Sequence, residues 1–464
     1  MSVVKIYEAA EAQRGILLRK PLEDQEMPDQ VLDGIERIFG ERLRPEAAVA
    51  RILADVRVRG DAALVEWSAR IDGAAGPRSA EGHGVETQHA ASLLEVPRDA
   101  WVEAYRRLPA EQRDALDLAA ARVTDFHRKQ PVHSWVDSGP DGTLGQLIRP
   151  LDSTGVYVPG GTAPLPSSLL MAAIPARVAG VGQVIVCTPP NNLQSSISNR
   201  HGVPDLILAA AHVAQVDRLF ALGGSQAVAA MAYGTETVPR VDKIVGAGGL
   251  FITLAKRQVI GSVGIDGFYG PTETLVIADE SADPAWAAAD MLAQAEHDVL
   301  ASPILLTPSR TVAERVVVHL ASQLETLSRA EIAATSLLAR GGIVLTAGLE
   351  EAVSLANAYA PEHLCLLVKD PWSLVGRIRN AGGIFVGEHS FEVLGDYVAG
   401  PSHVMPTEGS ARYSSPLSVA DFIKRISLVA FGAEAGSRLA RPAAVLARGE
   451  SLTAHAAAAE MRIV

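Results

Sequence analysis

Only two cysteines occur in 464 residues, each inside an apolar, strand-like run: Cys187 in VIVC and Cys365 in LCLLV. A disulfide framework is excluded, and both read as buried thiols. Aromatic residues are sparse at 5% while glycines number 40, which suits helices packed closely on a sheet better than an all-β shell. Basic clusters are missing as well. With a formal charge of −12 the chain lacks the Lys and Arg patches that bind phosphate backbones, so no nucleic-acid partner is expected. No run of about 18 apolar residues is free of charge or Pro. Residues 1–14 show no basic segment followed by an apolar one, so no membrane association and a cytoplasmic location are expected.

What is present is α/β patterning. The chain is too long for one ordinary core, and two domains with smaller appendages are expected. Residues 1–30 read as an N-terminal arm. Helical periodicity marks 31–70 and 98–128, as in Val49, Ile52, Leu53 and Val56. Between them, 73–89 is aperiodic and reads as a surface loop, whose His83 and His89 have no third ligand nearby. From Thr154, β-branched runs at 156–158, 184–187, 219–222 and 243–246 alternate with helical stretches at 167–179, 204–214 and 225–233. A second alternating block has runs at 275–278, 304–307, 343–346, 363–368 and 383–387, with helices at 283–297 and 349–359. The expected fold is therefore α/β, with two incomplete Rossmann-like parallel-sheet domains. One comprises 31–152 with 272–416, and the other 153–271. Residues 417–464 form a helical, Ala-rich tail too small to fold alone.

The usual G-x-G-x-x-G fingerprint is absent. Gly pairs follow two strands, in VPGG at 158–161 and LGGSQ at 222–226, where backbone N–H groups can approach a phosphate or simply make a tight turn. Gln294 and His297 stand three apart in AADMLAQAEHD, a spacing that puts both on one helix face, although a solvated pair has the same spacing. Glu362 and His363 pair a carboxylate with an imidazole directly before an apolar strand. They offer two proton acceptors of different basicity, at the amino end of the strand rather than the carboxyl end where α/β sheets gather ligands. Asp396 and His403 lie in a Gly-rich loop, and Glu450 and His455 in GESLTAH. Gln294, His297, Asp396 and His455 together would supply a zinc ion with a neutral-plus-anionic set.

Read in order, these segments resemble the histidinol dehydrogenase family from about Asp61 to Val464. The carriers are GVYVPGG, LGGSQAVAAMAYGTE, VDKI, LAKRQV, GID, GPTE, LAQAEH, APEHL, AGGIFVG, GDY, SHVMPT, LSVADF and LTAH. The resemblance implies oxidation of L-histidinol to L-histidine in two NAD-dependent steps, with one Zn2+ per active site, in a homodimer. It implies Gln294, His297, Asp396 and His455 as metal ligands, the last supplied by the neighbouring subunit's tail. It makes Glu362 and His363 the acid–base pair. Thr272, His403 and Glu450, with His363 and the four metal ligands, fall on substrate-binding positions, and Tyr157 and Gln226 on NAD-contacting ones. It also puts the NAD side on 153–271 and the metal and acid–base residues on the other domain.

The chain departs from the family pattern in places. Gly246, Ala247, Gly248 and Gly249 stand where G-P-G-N is commoner, so Gly249 replaces an NAD-contacting Asn. Thr272 replaces Ser with its hydroxyl kept, and Phe268 and Tyr269 are bulkier than expected and could narrow the pocket. Two other readings compete. One is a paralogous zinc and NAD dehydrogenase of another small polar alcohol, such as a sulfonated diol, which Glu450 would repel. The other is a non-catalytic metal and small-molecule binding protein, against which the Cys-free ligand set speaks.

Overall fold

The computed structural model describes residues 3–19, 29–71, 94–160, 164–190 and 201–463. The loop at 73–89, with His83 and His89, lies outside them, as does Gly161.

Among the described residues the strands form three sheets. One is five-stranded and wholly parallel, in the order Arg218–Ala221, Gln183–Thr188, Ser153–Tyr157, Lys243–Val245, Gly264–Ile265. The second is six-stranded and parallel, in the order Ile6–Glu8, Gly342–Leu345, Ser302–Thr307, Glu273–Ala278, His363–Leu367, Gly383–Val386. No helix is long and apolar enough to cross a membrane, among the residues described.

The β-branched runs form strands because successive side chains go to opposite faces and both faces are covered. In the five-stranded sheet Val184 and Val186 join one core, Ile185 and Cys187 the other. Val276 and Ala278 likewise part from Leu275 and Ile277 in the six-stranded sheet. Every residue of the strand Glu273–Ala278 is buried, and each large aliphatic side chain so buried contributes about 1.5–3 kcal/mol. Both cysteines are buried thiols, and burial raises the pKa of each.

Several expectations need correction. The helices Pro45–Arg59 and Asp61–Ile71 pack on one face of the five-stranded sheet, and Arg98–Arg107 and Ala110–Arg128 on the other. Most of 31–152 thus covers the sheet of 153–271 rather than that of 272–416: an amphipathic helix shows that it has a partner, not which one. The arm is not an appendage either. Its strand Ile6–Glu8 extends the six-stranded sheet, with Val4 buried in the core.

The third sheet is antiparallel, with Ile423–Ala430, Gly142–Pro150 and Trp135–Gly139 in that order. The tail therefore carries a 3-10 turn, Val419–Phe422, and a strand before its helices Ala433–Gly449 and Thr453–Glu460.

Candidate active site

Because all strands of the six-stranded sheet are parallel, their amino ends share one edge. Thr272 and Glu273 lie at the start of one central strand, Glu362 and His363 at the start of its neighbour. The helix Leu349–Tyr359 ends at Ala360, which takes the left-handed conformation (φ 54°), and Pro361 blocks continuation. Holding a non-glycine residue there costs about 1–2 kcal/mol. This turn aims Glu362 and His363 along the sheet edge. The opposing wall is the carboxyl edge of the five-stranded sheet: Ser168, in the helix after its central strand, lies with Oγ 3.3 Å from His403 Nε2.

Glu273 organises the pair through its backbone. Its N–H donates to Glu362 Oε2 at 3.0 Å, and its carbonyl accepts from His363 Nδ1 at 3.1 Å. The Thr272 hydroxyl donates to the same Glu362 oxygen at 2.6 Å. Burial pushes the Glu362 carboxyl up to about 7, against the charge of His363, the Thr272 hydroxyl and the Glu273 N–H, which pull it down. With Nδ1 donating to a carbonyl, neutral His363 has an acceptor at Nε2. That nitrogen is buried without a hydrogen-bond partner among the described residues, 3.9 Å from Asp396 Oδ1.

Gln294 is placed by the helix Pro284–Ala295, which opens with Asp283 accepting from the Ala285 N–H and Pro284 in the first turn. Ala287, Met291 and Ala295 of this helix pack on the sheet, and Gln294 is fully buried. Its amide is satisfied with the nitrogen donating to Glu392 and to Thr274 Oγ1 (3.0 Å). The oxygen then accepts from the Glu273 N–H (2.9 Å) and lies against the Thr272 hydroxyl, whose single proton goes to Glu362. His297 falls in the turn beyond the helix, its N–H bonded to the Gln294 carbonyl at 3.2 Å. It keeps an exposed edge, while surrounding protein lowers its pKa by desolvation, opposed by the charge of Asp396. His403 Nδ1 donates to the Asp396 carbonyl at 2.8 Å, and burial lowers its pKa too.

The structure thus brings Thr272, Gln294, His297, Glu362, His363, Asp396 and His403 to one edge. It does not bring Glu450 or His455 there. Both are exposed on the tail, whose two helices are tied together by Arg448 and Glu460. Among the described residues no three His, Cys, Asp or Glu side chains converge closely enough to hold a metal ion.

At the carboxyl edge of the five-stranded sheet, the Gly224 N–H donates to the Tyr157 hydroxyl at 3.3 Å, and Gln226, two residues on, is fully buried. Gly246 has φ 109°, and a Cβ there would collide with the Tyr157 carbonyl, so this loop position requires glycine. A buried ion pair of Lys256 and Asp266 braces the loop: Lys256 Nζ also reaches the Gly246 carbonyl at 3.0 Å, and Asp266 Oδ2 accepts from the Gly246 N–H at 2.7 Å. Gly249 is exposed, with open space where a side chain would stand. Phe268 is 42% exposed with Arg257 over its ring at 5.8 Å, whereas Tyr269 is buried with Lys256 Nζ 4.8 Å from its ring centre.

Three residues were missed from the sequence. Glu392, buried and bonded to Thr274 and Gln294, has its pKa raised well above the usual carboxylate range by burial and then by Asp396. Its signal was available, since it precedes Asp396 by four on one helix face. Glu273 stood unread within GPTE, and Ser168 carries no local signal.

Buried carboxyl and imidazole groups gathered at the edge of a parallel sheet define an α/β protein with a titratable polar site. Comparison with known proteins makes this particular. The family profile described as histidinol dehydrogenase matches residues 41–463. The histidinol dehydrogenase of Deinococcus radiodurans is 51% identical over 462 residues, spanning 99% of this chain and 100% of the relative. That of Thermus thermophilus is 50% identical over 417 residues, spanning 90% of this chain and 94% of the relative. The crystal structure of histidinol dehydrogenase from Elizabethkingia anophelis superposes with a TM-score of 0.84 at 29% identity, covering 100% of this chain and 98% of that one. The chain belongs to the histidinol dehydrogenase family and is an oxidoreductase.

Proposed function

We propose that the protein performs the NAD-linked, four-electron oxidation of L-histidinol to L-histidine through L-histidinal, at the end of histidine biosynthesis. The observation that carries this reading is the anchoring of Glu362 and His363 to one residue, Glu273, with the carboxyl near neutrality and His363 Nε2 unpaired.

The donor types around His363 suit zinc, and Gln294, His297 and Asp396 of one chain would hold it with His455 of the partner subunit. Those three donors leave one position of a four-coordinate shell for the partner's ligand. Leu439, Val445, Leu446, Leu452 and Met461 leave an apolar face exposed on the tail, which supports a homodimer. For NAD, the glycine-lined edge beside Tyr157 and Gln226, with open space at Gly249, fits a dinucleotide. When bound, zinc supplies positioning for the substrate's amine and imidazole nitrogens, and NAD supplies the hydride acceptor.

The chain's own groups handle the protons. His363 Nε2 takes the hydroxyl proton as the carbinol carbon loses hydride, and the bond from Nδ1 to the Glu273 carbonyl keeps the required tautomer. Glu362, ionised above about pH 7, accepts a proton from the water that adds to the aldehyde. The gem-diol then loses a second hydride and ends as carboxylate. One alcohol, one water and two NAD+ give one carboxylate, two NADH and three protons. Thr272 orients Glu362, while His403 and the partner subunit's Glu450 face the substrate.

Glu362→Gln and His363→Asn test the assignment. Retained metal binding with turnover lost supports it, and unchanged turnover in either variant sinks it.

A further inference from the structure

Neither Arg19 nor the side chain of Glu273 has a part in the scheme above, yet they form the most elaborate ion pair beside it. Arg19 comes from the arm, just beyond the edge strand Ile6–Glu8 and the short helix Ala9–Ala12. Its guanidinium grips the Glu273 carboxylate in a two-pronged pair, with Nη2 to Oε2 at 2.7 Å and Nη1 on Oε1. Nε and Nη2 also donate to the Tyr359 carbonyl at 3.2 and 3.0 Å, and the guanidinium lies 3.6 Å from the centre of the Tyr359 ring. The Glu408 N–H donates to Glu273 Oε1 at 3.2 Å. The Glu273 side chain is only 3% exposed, so its charge relies on these partners.

The geometry points to Arg19 as a positioning residue of the acid–base pair: by clamping the Glu273 side chain it fixes the backbone N–H and carbonyl that hold Glu362 and His363. This inference rests on the assignment of proton transfer to those two residues. The chain of contacts has no gap. Arg19 holds the Glu273 carboxylate, the Glu273 N–H holds Glu362, and the Glu273 carbonyl holds His363. A planar fork suits this task better than a point charge, because both carboxylate oxygens and a backbone carbonyl are engaged at once. Arg19 touches neither His363 nor Glu362, so its loss should disturb the chemical step and leave substrate affinity alone.

A cavity of about 460 Å³, lined by Arg14, Arg19, Glu273, Arg340 and Tyr359 among others, opens beside the guanidinium. A small free guanidinium ion can therefore reach the vacated position in a truncated variant, which makes chemical rescue the natural test.

Arg19→Ala is expected to lower kcat by about 10- to 100-fold, the scale of a small misplacement of catalytic groups. KM for alcohol and for NAD should stay within about threefold of wild type. Added ethylguanidinium should restore kcat in a saturable manner and leave the wild type unaffected. Arg19→Lys, which keeps the charge without the fork, should recover part of kcat. It also serves as the test if Arg19→Ala does not fold. Wild-type kcat in either variant, a loss confined to KM, or indifference of Arg19→Ala to ethylguanidinium overturns the inference. An inactive wild type defeats the functional reading instead, whereas an active wild type with indifferent Arg19 variants defeats only this proposal.

Discussion

Glu362 carries a stability cost that its chemistry explains, and replacing it with Gln should reveal the cost. Burial raises its carboxyl from 4.5 to about 7 in the folded protein. Each pH unit of difference is worth about 1.36 kcal/mol, so the gap amounts to about 3 kcal/mol. The sign follows from proton binding. A carboxyl with a raised folded pKa favours the fold fully below the unfolded value, and this advantage disappears as pH rises through the folded value. The window is therefore pH 4.5 to about 7, and above it the ionised, buried group opposes folding. Glu362→Gln has no such titration, while its amide oxygen can still accept from Thr272 and from the Glu273 N–H. Relative to wild type, the variant should gain about 3 kcal/mol of stability between pH 4.5 and pH 8, as activity is lost. Denaturant titrations of both proteins at several pH values, with chelator present throughout, measure the difference. A stability difference that does not change with pH would refute the reasoning about Glu362.

Gly249→Asn should leave the melting temperature unchanged, because the position is exposed and open, and should tighten NAD binding measured by calorimetry. Weaker binding would show that the loop follows a different cofactor mode. Lys256→Met should destabilise the protein by about 3–5 kcal/mol, since it leaves Asp266 buried without its partner. A loss below about 1 kcal/mol in denaturant titrations would mean that Asp266 relaxes toward solvent. Mixing inactive His297→Ala subunits with inactive His455→Ala subunits should restore partial activity, and no recovery in proven heterodimers would end the shared-site proposal.

The strands of both parallel sheets were legible because burial on two faces selects continuous β-branched runs, as in 184–187 and 275–278. The antiparallel sheet was not. Trp135–Gly139 is exposed throughout, and Ile423–Ala430 pairs with a strand more than 270 residues away, so neither shows a buried run. Helix periodicity at 45–71 was readable, but its target sheet was not, because a buried stripe does not name its partner. Glu362, His363 and Gln294 were legible through local motifs. Glu392 left a signal in its spacing from Asp396, whereas Arg19 left none, since its role depends on contact with Glu273, 254 residues away in sequence.

The most direct test is to follow NADH formation from a limiting, known amount of L-histidinol, with and without chelator. Two NADH per histidinol, with L-histidine as product and activity lost on metal removal, is the expected result. One NADH with the aldehyde accumulating, or no NADH from histidinol while another small alcohol is oxidised, would contradict it.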